Sequence, residues 1–179
     1  INEVHAFAMF DYYYSKGGRV FDTAYIYNHG LSDKYLGDWI NSRDLKDVVV
    51  LGKGAHTPDC LPDKIKPQIE ESLSRGNIDK LDIYCLHRDN LDVPVTEFID
   101  ALNECKNDGL IDMLGASNWE LERFKLANDY AEDQEKESFK VLSNNFSLAR
   151  MIEPVWPGCF SCDESYLNCL LYTSDAADD

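Results

Sequence analysis

The sequence predicts an α/β fold in which short parallel strands alternate with helices over 179 residues. The predicted strands are mostly apolar without strict polar alternation, which is typical of strands covered on both faces. The polar residues that end them are Asp22, Lys53, His87, Ser117 and Asn144, which lie 31, 34, 30 and 27 positions apart. This spacing is close to one βα unit and predicts a parallel sheet, closed or open.

The elements follow one another in a regular order. The predicted strands cover residues 19–22, 48–53, 81–87, 111–117 and 139–144. The predicted helices cover residues 5–16, 32–40, 64–75, 95–107 and 120–132. Gly17, Gly76 and Gly109 follow three of these helices, where a left-handed residue commonly ends a helix. Pro94 stands just before the fourth helix, a position compatible with a helix start.

The βα rhythm stops after Asn145. Residues 151–169 contain two prolines, a glycine and three cysteines without a helical or strand period, so we predict an irregular loop there. Residues 170–179 end in TSDAADD and contain no basic residue. We expect them to be a low-complexity tail foreign to the domain, which leaves residues 1–150 as the βα portion of the domain.

The charge of the chain limits its partners. There are 33 acidic and 17 basic residues, a formal net charge of -16, which would repel nucleic acid and anionic lipid. No stretch is long and apolar enough to span a bilayer. From the charge and this absence together, we expect neither nucleic acid nor a membrane as a partner. A helix N-terminus can still hold a phosphorylated cofactor locally.

The six cysteines are irregularly spaced, and two of them fall inside apolar segments. We expect free thiols in a reducing, cytoplasmic setting. Cys159 and Cys162 form one CxxC pair, but no second ligand pair accompanies it, so no metal site is predicted.

Functional groups of a parallel βα fold gather at the carboxyl ends of its strands. Here those ends carry Asp22, Lys53, His87 and the pair Ser117 and Asn118, and Tyr27 follows Asp22 after a short turn. Tyrosine is a weak acid at neutral pH, but a nearby ammonium group favours its phenolate and eases proton donation. The side chains of Lys53, Asp22 and His87 suit the protonation of a carbonyl oxygen by a tyrosine.

The motifs resemble those of the aldo/keto reductase family. VFDTAYIYNHGLSDKYLG is similar to the first family signature, and IEESLSRGNIDKLDIYCLH resembles the second. Lys53 at the end of VVVLGK and the Ser-Asn pair in LGASNW also match family motifs, in the same order along the chain. The resemblance covers residues 18–150 and implies a (β/α)8 barrel of the TIM type.

By position, the resemblance implies that Tyr27 is the general acid, that Lys53 and Asp22 tune it, and that His87 orients the substrate carbonyl. It implies hydride transfer from NADPH to a small-molecule aldehyde or ketone.

Ser117 and Asn118 would hold the nicotinamide carboxamide. Ser117 and Glu120 also fit a helix capping box, so Ser117 has a structural alternative. Where the family usually has glutamine this chain has Ser143, and either Asn144 or Asn145 is the alternative ligand.

Only about five of the eight βα units of a full barrel are recognisable. We therefore expect an incomplete barrel that lacks the late family segments for the cofactor phosphates, with an open and aggregation-prone sheet edge. Two other functions stay open: a noncatalytic cofactor-binding or scaffold member of the same fold, and an inactive fragment.

Overall fold

The computed structural model describes residues 2–149 and 151–175. Its strands are β1 (Val20–Asp22), β2 (Val49–Gly54), β3 (Leu81–Leu86), β4 (Ile111–Ser117) and β5 (Phe139–Ser143). Its helices are α1 (Glu3–Ser15), α2 (Leu31–Ser42), α3 (Pro62–Gly76), α4 (Val95–Asn107), α5 (Leu121–Asp133) and α6 (Glu164–Asp175). Every predicted strand is present, with its end displaced by at most one residue.

The five strands form one parallel sheet in the order β1-β2-β3-β4-β5. Each strand pairs with the next along the chain, so the order never reverses as it does in an open doubly wound sheet. The sheet curls into a half-barrel with helices outside. The predicted fold class, an incomplete TIM-type barrel, is confirmed.

The core lies between the helices and the outer face of the sheet. At the amino-terminal edge, Phe21 of β1 packs against Trp39 of α2, with ring centroids 4.9 Å apart, and Phe10 of α1 contacts both rings. At the other edge, Trp119 lies between Phe98 of α4 and Phe139 of β5. Apolar burial of this kind fixes the sheet on which the strand ends are displayed.

Two glycines set the distance between α2 and α3. A Cβ added to Gly37 would lie 1.9 Å from the carbonyl oxygen of Gly76, so the helices cross where both residues lack a side chain. Gly76 is therefore not the left-handed residue predicted for the end of its helix. Asn77 takes that conformation, with a φ of 48°, whereas Gly17 and Gly109 do have positive φ as predicted.

The segment after β5 contains a helix that the sequence did not predict. The expectation of irregular structure is wrong for residues 164–169, which belong to α6. The Tyr166 hydroxyl accepts a hydrogen bond from the backbone N–H of Leu121 and donates one to the carbonyl of Trp119. Leu170, predicted to begin the tail, packs against the core, and residues 176–179 lie outside the described residues. Tertiary contacts of Tyr166 and Leu170 stabilise this helix.

Within residues 2–149 and 151–175, no helix is long and apolar enough to cross a membrane.

Candidate active site

A cavity of about 660 Å³ lies at the carboxyl ends of the strands. Seven of the eight predicted site residues line it, namely Asp22, Tyr27, Lys53, His87, Ser117, Asn118 and Ser143. They come from four of the five strand ends, from the residue after β3, from the residue after β4 and from the turn after β1. The parallel direction of the strands brings these distant sequence positions to one end of the half-barrel.

Lys53 is the buried charge of the site. Its side chain is only 4% exposed, and its ammonium group forms an ion pair with the half-exposed carboxylate of Asp22 on the neighbouring strand. The same ammonium lies 5.1 Å from the ring centroid of Tyr27. Asp22 therefore holds the Lys53 charge in the cavity, next to the phenol.

Tyr27 lies in a short 3-10 helix, Tyr27–Gly30, that begins five positions after the last residue of β1. Its backbone N–H donates to the carbonyl of Ala24, and Asn28 and His29 both have positive φ. Tyr27 is 40% exposed, so its ring is open to solvent on one side. His29 in the same turn does not line the cavity.

His87 is a buried neutral imidazole. Burial lowers its pKa from the ordinary value of 6.5 to about 3, and the charges of Lys53, His56 and Arg88 act in the same direction. Its ring lies 5.5 Å from that of Tyr27, centroid to centroid. Within the described residues its Nδ1 atom is buried without a hydrogen-bond partner. A neutral imidazole can donate one hydrogen bond to a carbonyl oxygen.

Ser117 orients Asn118 at the end of β4. The Ser117 hydroxyl donates to the carbonyl of Ser143 at 2.8 Å and accepts a bond from the Asn118 side-chain amide at 3.0 Å. The capping-box alternative is wrong, because the N-cap residue of α5 is Glu120 and not Ser117. No side chain makes a capping hydrogen bond at the start of this helix. Ser117 instead joins the ends of β4 and β5.

Asn144 does not line the cavity. Its side chain accepts from the backbone N–H of Trp119 and donates to the carbonyl of the same residue, at 3.2 and 2.8 Å. The side-chain amide of Asn145, the other alternative, donates to the hydroxyl of Ser161, and its backbone N–H donates to the carbonyl of Phe160. Both amides connect loops to one another, which leaves Ser143 as the cavity-facing member of the predicted set.

The sequence reasoning missed three residues that line the cavity as potential contacts for a ligand, His56, Arg88 and Trp156. Arg88 follows His87 directly, and His56 follows the end of β2 by two positions, so proximity to a strand end was the available signal. Trp156 comes from the irregular segment after β5 and carried no such signal. Cys159 also lines the cavity, and the described residues contain no group of three or more potential metal ligands.

The fold and the site define a class: a parallel βα-barrel protein with an aspartate, tyrosine, lysine and histidine at the carboxyl ends of its strands. Residues 1–156 match the model of the aldo/keto reductase family. The chain belongs to that family.

Individual relatives agree with this assignment. The chain is 29% identical over 158 residues to norsolorinic acid reductase B of Dothistroma septosporum, covering 80% of this chain and 40% of that protein. It is 28% identical over 160 residues to the aldo-keto reductase ausK of Aspergillus calidoustus, covering 81% and 40%.

A solved structure of a thermostable aldo-keto reductase with the inhibitor epalrestat matches the fold. Its TM-score is 0.66 at 22% identity, over 80% of this chain and 51% of that chain. The chain thus spans about half the length, or less, of these related proteins.

Proposed function

We propose that this chain carries the proton-donating site of an oxidoreductase that reduces an aldehyde or ketone with NADPH. The observation that carries the proposal is the meeting of Asp22, Tyr27, Lys53 and His87 around one cavity. Reduced nicotinamide supplies a hydride to the carbonyl carbon when it is bound. The chain itself supplies the proton and holds the carbonyl oxygen.

Tyr27 is the proton donor in this proposal. Its hydroxyl gives a proton to the carbonyl oxygen, so the carbonyl becomes an alcohol and Tyr27 becomes a phenolate. The partial exposure of Tyr27 lets solvent return the proton afterwards. His29, on the same turn, does not line the cavity, which leaves Tyr27 as the acid of this turn.

Lys53 stabilises the phenolate. Its ammonium lies 5.1 Å from the Tyr27 ring centroid in a nearly solvent-free position, where a charge acts more strongly than in water. The Asp22 carboxylate pairs with the Lys53 ammonium and limits its movement. Asp22 is therefore a positioning residue, acting through Lys53.

His87 orients the carbonyl oxygen as a neutral hydrogen-bond donor. With a pKa of about 3 it carries no charge at physiological pH, so it does not compete with Tyr27 as the acid. Its Nδ1 atom is buried without a partner among the described residues, so we assign the donor role toward the carbonyl oxygen to Nε2.

The nicotinamide carboxamide fits two polar groups at the ends of β4 and β5. The amide nitrogen of Asn118 is used by Ser117, whereas its oxygen has no partner within the described residues and can accept from an amide NH₂. The Ser143 hydroxyl, also unpartnered there, can donate to an amide oxygen. Together they complement a carboxamide.

The cysteines of the chain are free thiols, which supports a reducing, cytoplasmic setting for the protein.

The test is Tyr27→Phe in the full-length protein that carries this chain. We expect turnover of an aldehyde, followed by loss of nicotinamide absorbance, to fall about 10²- to 10⁴-fold because the proton donor is lost. Tyr12→Phe, at an exposed position of α1, is the matched control and should keep full activity. NADPH affinity, measured by quenching of tryptophan fluorescence, should be unchanged in both variants.

Two outcomes would contradict the proposal. A wild-type protein that binds NADPH but reduces no carbonyl would favour the noncatalytic cofactor-binding or scaffold function. Full activity of Tyr27→Phe would show that another group donates the proton. The same assays on the 179-residue chain show whether this portion is active alone.

A further inference from the structure

Arg88 differs from the other arginines that the structure describes. Arg19, Arg43, Arg75 and Arg123 each form an ion pair with an aspartate or glutamate. Within the same residues Arg88 has no carboxylate within 4.0 Å, and the one hydrogen bond of its guanidinium runs from Nη1 to the carbonyl of the preceding His87, at 2.9 Å. The chain has almost twice as many acidic as basic residues, so an unpaired half-buried guanidinium is unusual here.

The wall of the cavity is more positive than the rest of the molecule. Among the described residues that line it, Asp22 is the one carboxylate, and Lys53 already pairs with it. Arg88 therefore leaves the cavity with an unbalanced positive charge in a chain whose net charge is -16. A guanidinium in such a place is suited to bidentate binding of a carboxylate.

The backbone of Arg88 is held rigidly. Its carbonyl accepts hydrogen bonds from the Cys60 thiol at 3.1 Å and from the Trp119 indole at 3.3 Å. The next residue, Asp89, forms a two-bond ion pair with Arg123. A guanidinium carried on a fixed backbone, with Nη1 held by the His87 carbonyl, loses less freedom when its ligand arrives.

We propose that Arg88 is an anion subsite that binds a carboxylate carried by the carbonyl substrate. The neighbouring His87 receives the carbonyl oxygen, so the preferred substrates are oxo acids, with Ile26 and Trp156 lining the same cavity for their apolar parts. This inference rests on the proposed function and deepens it by naming the substrate class.

The kinetic test compares 4-carboxybenzaldehyde with its neutral methyl ester, in the full-length protein with saturating NADPH. The wild type should prefer the acid. Arg88→Met keeps the apolar stem but removes the charge, and it should lower kcat/KM for the acid about 10- to 100-fold, mainly through KM. The ester should change less than about threefold on the same reasoning. Arg88→Lys should recover part of the loss, because it keeps the charge without the fork geometry.

Lys16→Met is the matched control. Lys16 is exposed after α1 and does not line the cavity, yet its substitution changes the net charge of the chain by the same amount. It should leave the preference for the acid unchanged. NADPH affinity should be the same in all variants, and a selective loss of it in Arg88→Met would reassign Arg88 to the cofactor and overturn the proposal.

A binding measurement separates this proposal from the proposed function. Benzoate and benzamide are titrated into the wild type and Arg88→Met, with tryptophan fluorescence as the signal. Benzoate binding that depends on Arg88 supports the subsite even if no carbonyl is reduced. Equal binding of benzoate by both proteins, or equal loss of activity toward acid and ester, rejects it.

Discussion

The two faces of the sheet differ in how far their side chains are exposed to solvent. On the helix-facing side, Tyr84 and Leu114 are no more than 2% exposed, whereas Val20 and Met113 on the other side are 49% and 47% exposed. In a closed barrel the inner positions are packed in layers. Here the outer face packs against the helices and stabilises the sheet. The inner face carries polar groups at the carboxyl ends of the strands.

This difference separates residues that stabilise the fold from residues that perform chemistry. Leu114 lies in the outer core, while Lys53 points to the inner side and lines the cavity. Substitutions on the two faces should therefore change different measurements. Three predictions test that separation, beginning with the largest effect.

Lys53→Met should lower turnover about 10²- to 10⁴-fold, because the phenolate of Tyr27 loses its neighbouring cation. Methionine keeps an unbranched apolar side chain like the stem of lysine, so NADPH affinity should change little. Steady-state kinetics and fluorescence titration of the full-length protein give the two values. Turnover within a few-fold of wild type would mean that Lys53 only supports the structure.

The adjacent residues Leu114 and Met113 provide a matched pair on opposite faces of β4. Leu114→Ala should lower the free energy of unfolding by about 2–5 kcal/mol, since it opens a cavity in the core. Met113→Ala should cost less than about 1 kcal/mol, because half of that side chain is already in water. Urea unfolding of both variants gives the comparison, and equal losses would contradict the assignment of faces.

His87→Gln should reduce the sensitivity of the fold to acid. The His87 pKa is about 3 in the folded chain and 6.5 ordinarily, so between those values the unfolded chain binds the extra proton. Stability is then lost as pH falls from 6.5 toward 3, and this histidine has no effect above that window.

Between pH 7 and pH 5, the loss due to His87 is about 2 kcal/mol, and glutamine, which does not titrate, should remove it. Urea unfolding at the two pH values, in wild type and variant, isolates this difference from other titrating groups. An identical pH dependence in both proteins would place His87 in a more solvated position than the structure shows.

Local pattern was sufficient for most of the fold. The strands were predictable because apolar runs spaced by one βα unit are compatible with few arrangements other than alternating strands and helices. The predicted end of each strand is within one residue of the observed end. Helix α6 was not, because its sequence has no clear period and its stability comes from Tyr166 and Leu170 packing against distant elements. Gly76 was misread for a similar reason, since its role depends on Gly37 of another helix.

The sequence by itself determined the parallel βα order and the polar residues at the strand ends, since both depend on spacing along the chain. Only the tertiary structure decided which of those residues share the cavity. Asn144 and Ser143 are adjacent in sequence, yet the amide of Asn144 bonds to the backbone of Trp119 and Ser143 lines the cavity. Likewise Arg88 and Arg123 are alike in sequence, and only their three-dimensional neighbours show that, among the residues the structure describes, Arg123 has a carboxylate partner and Arg88 has none. Hydrogen bonds and ion pairs between distant residues depend on where the folded chain places them, which no local pattern records.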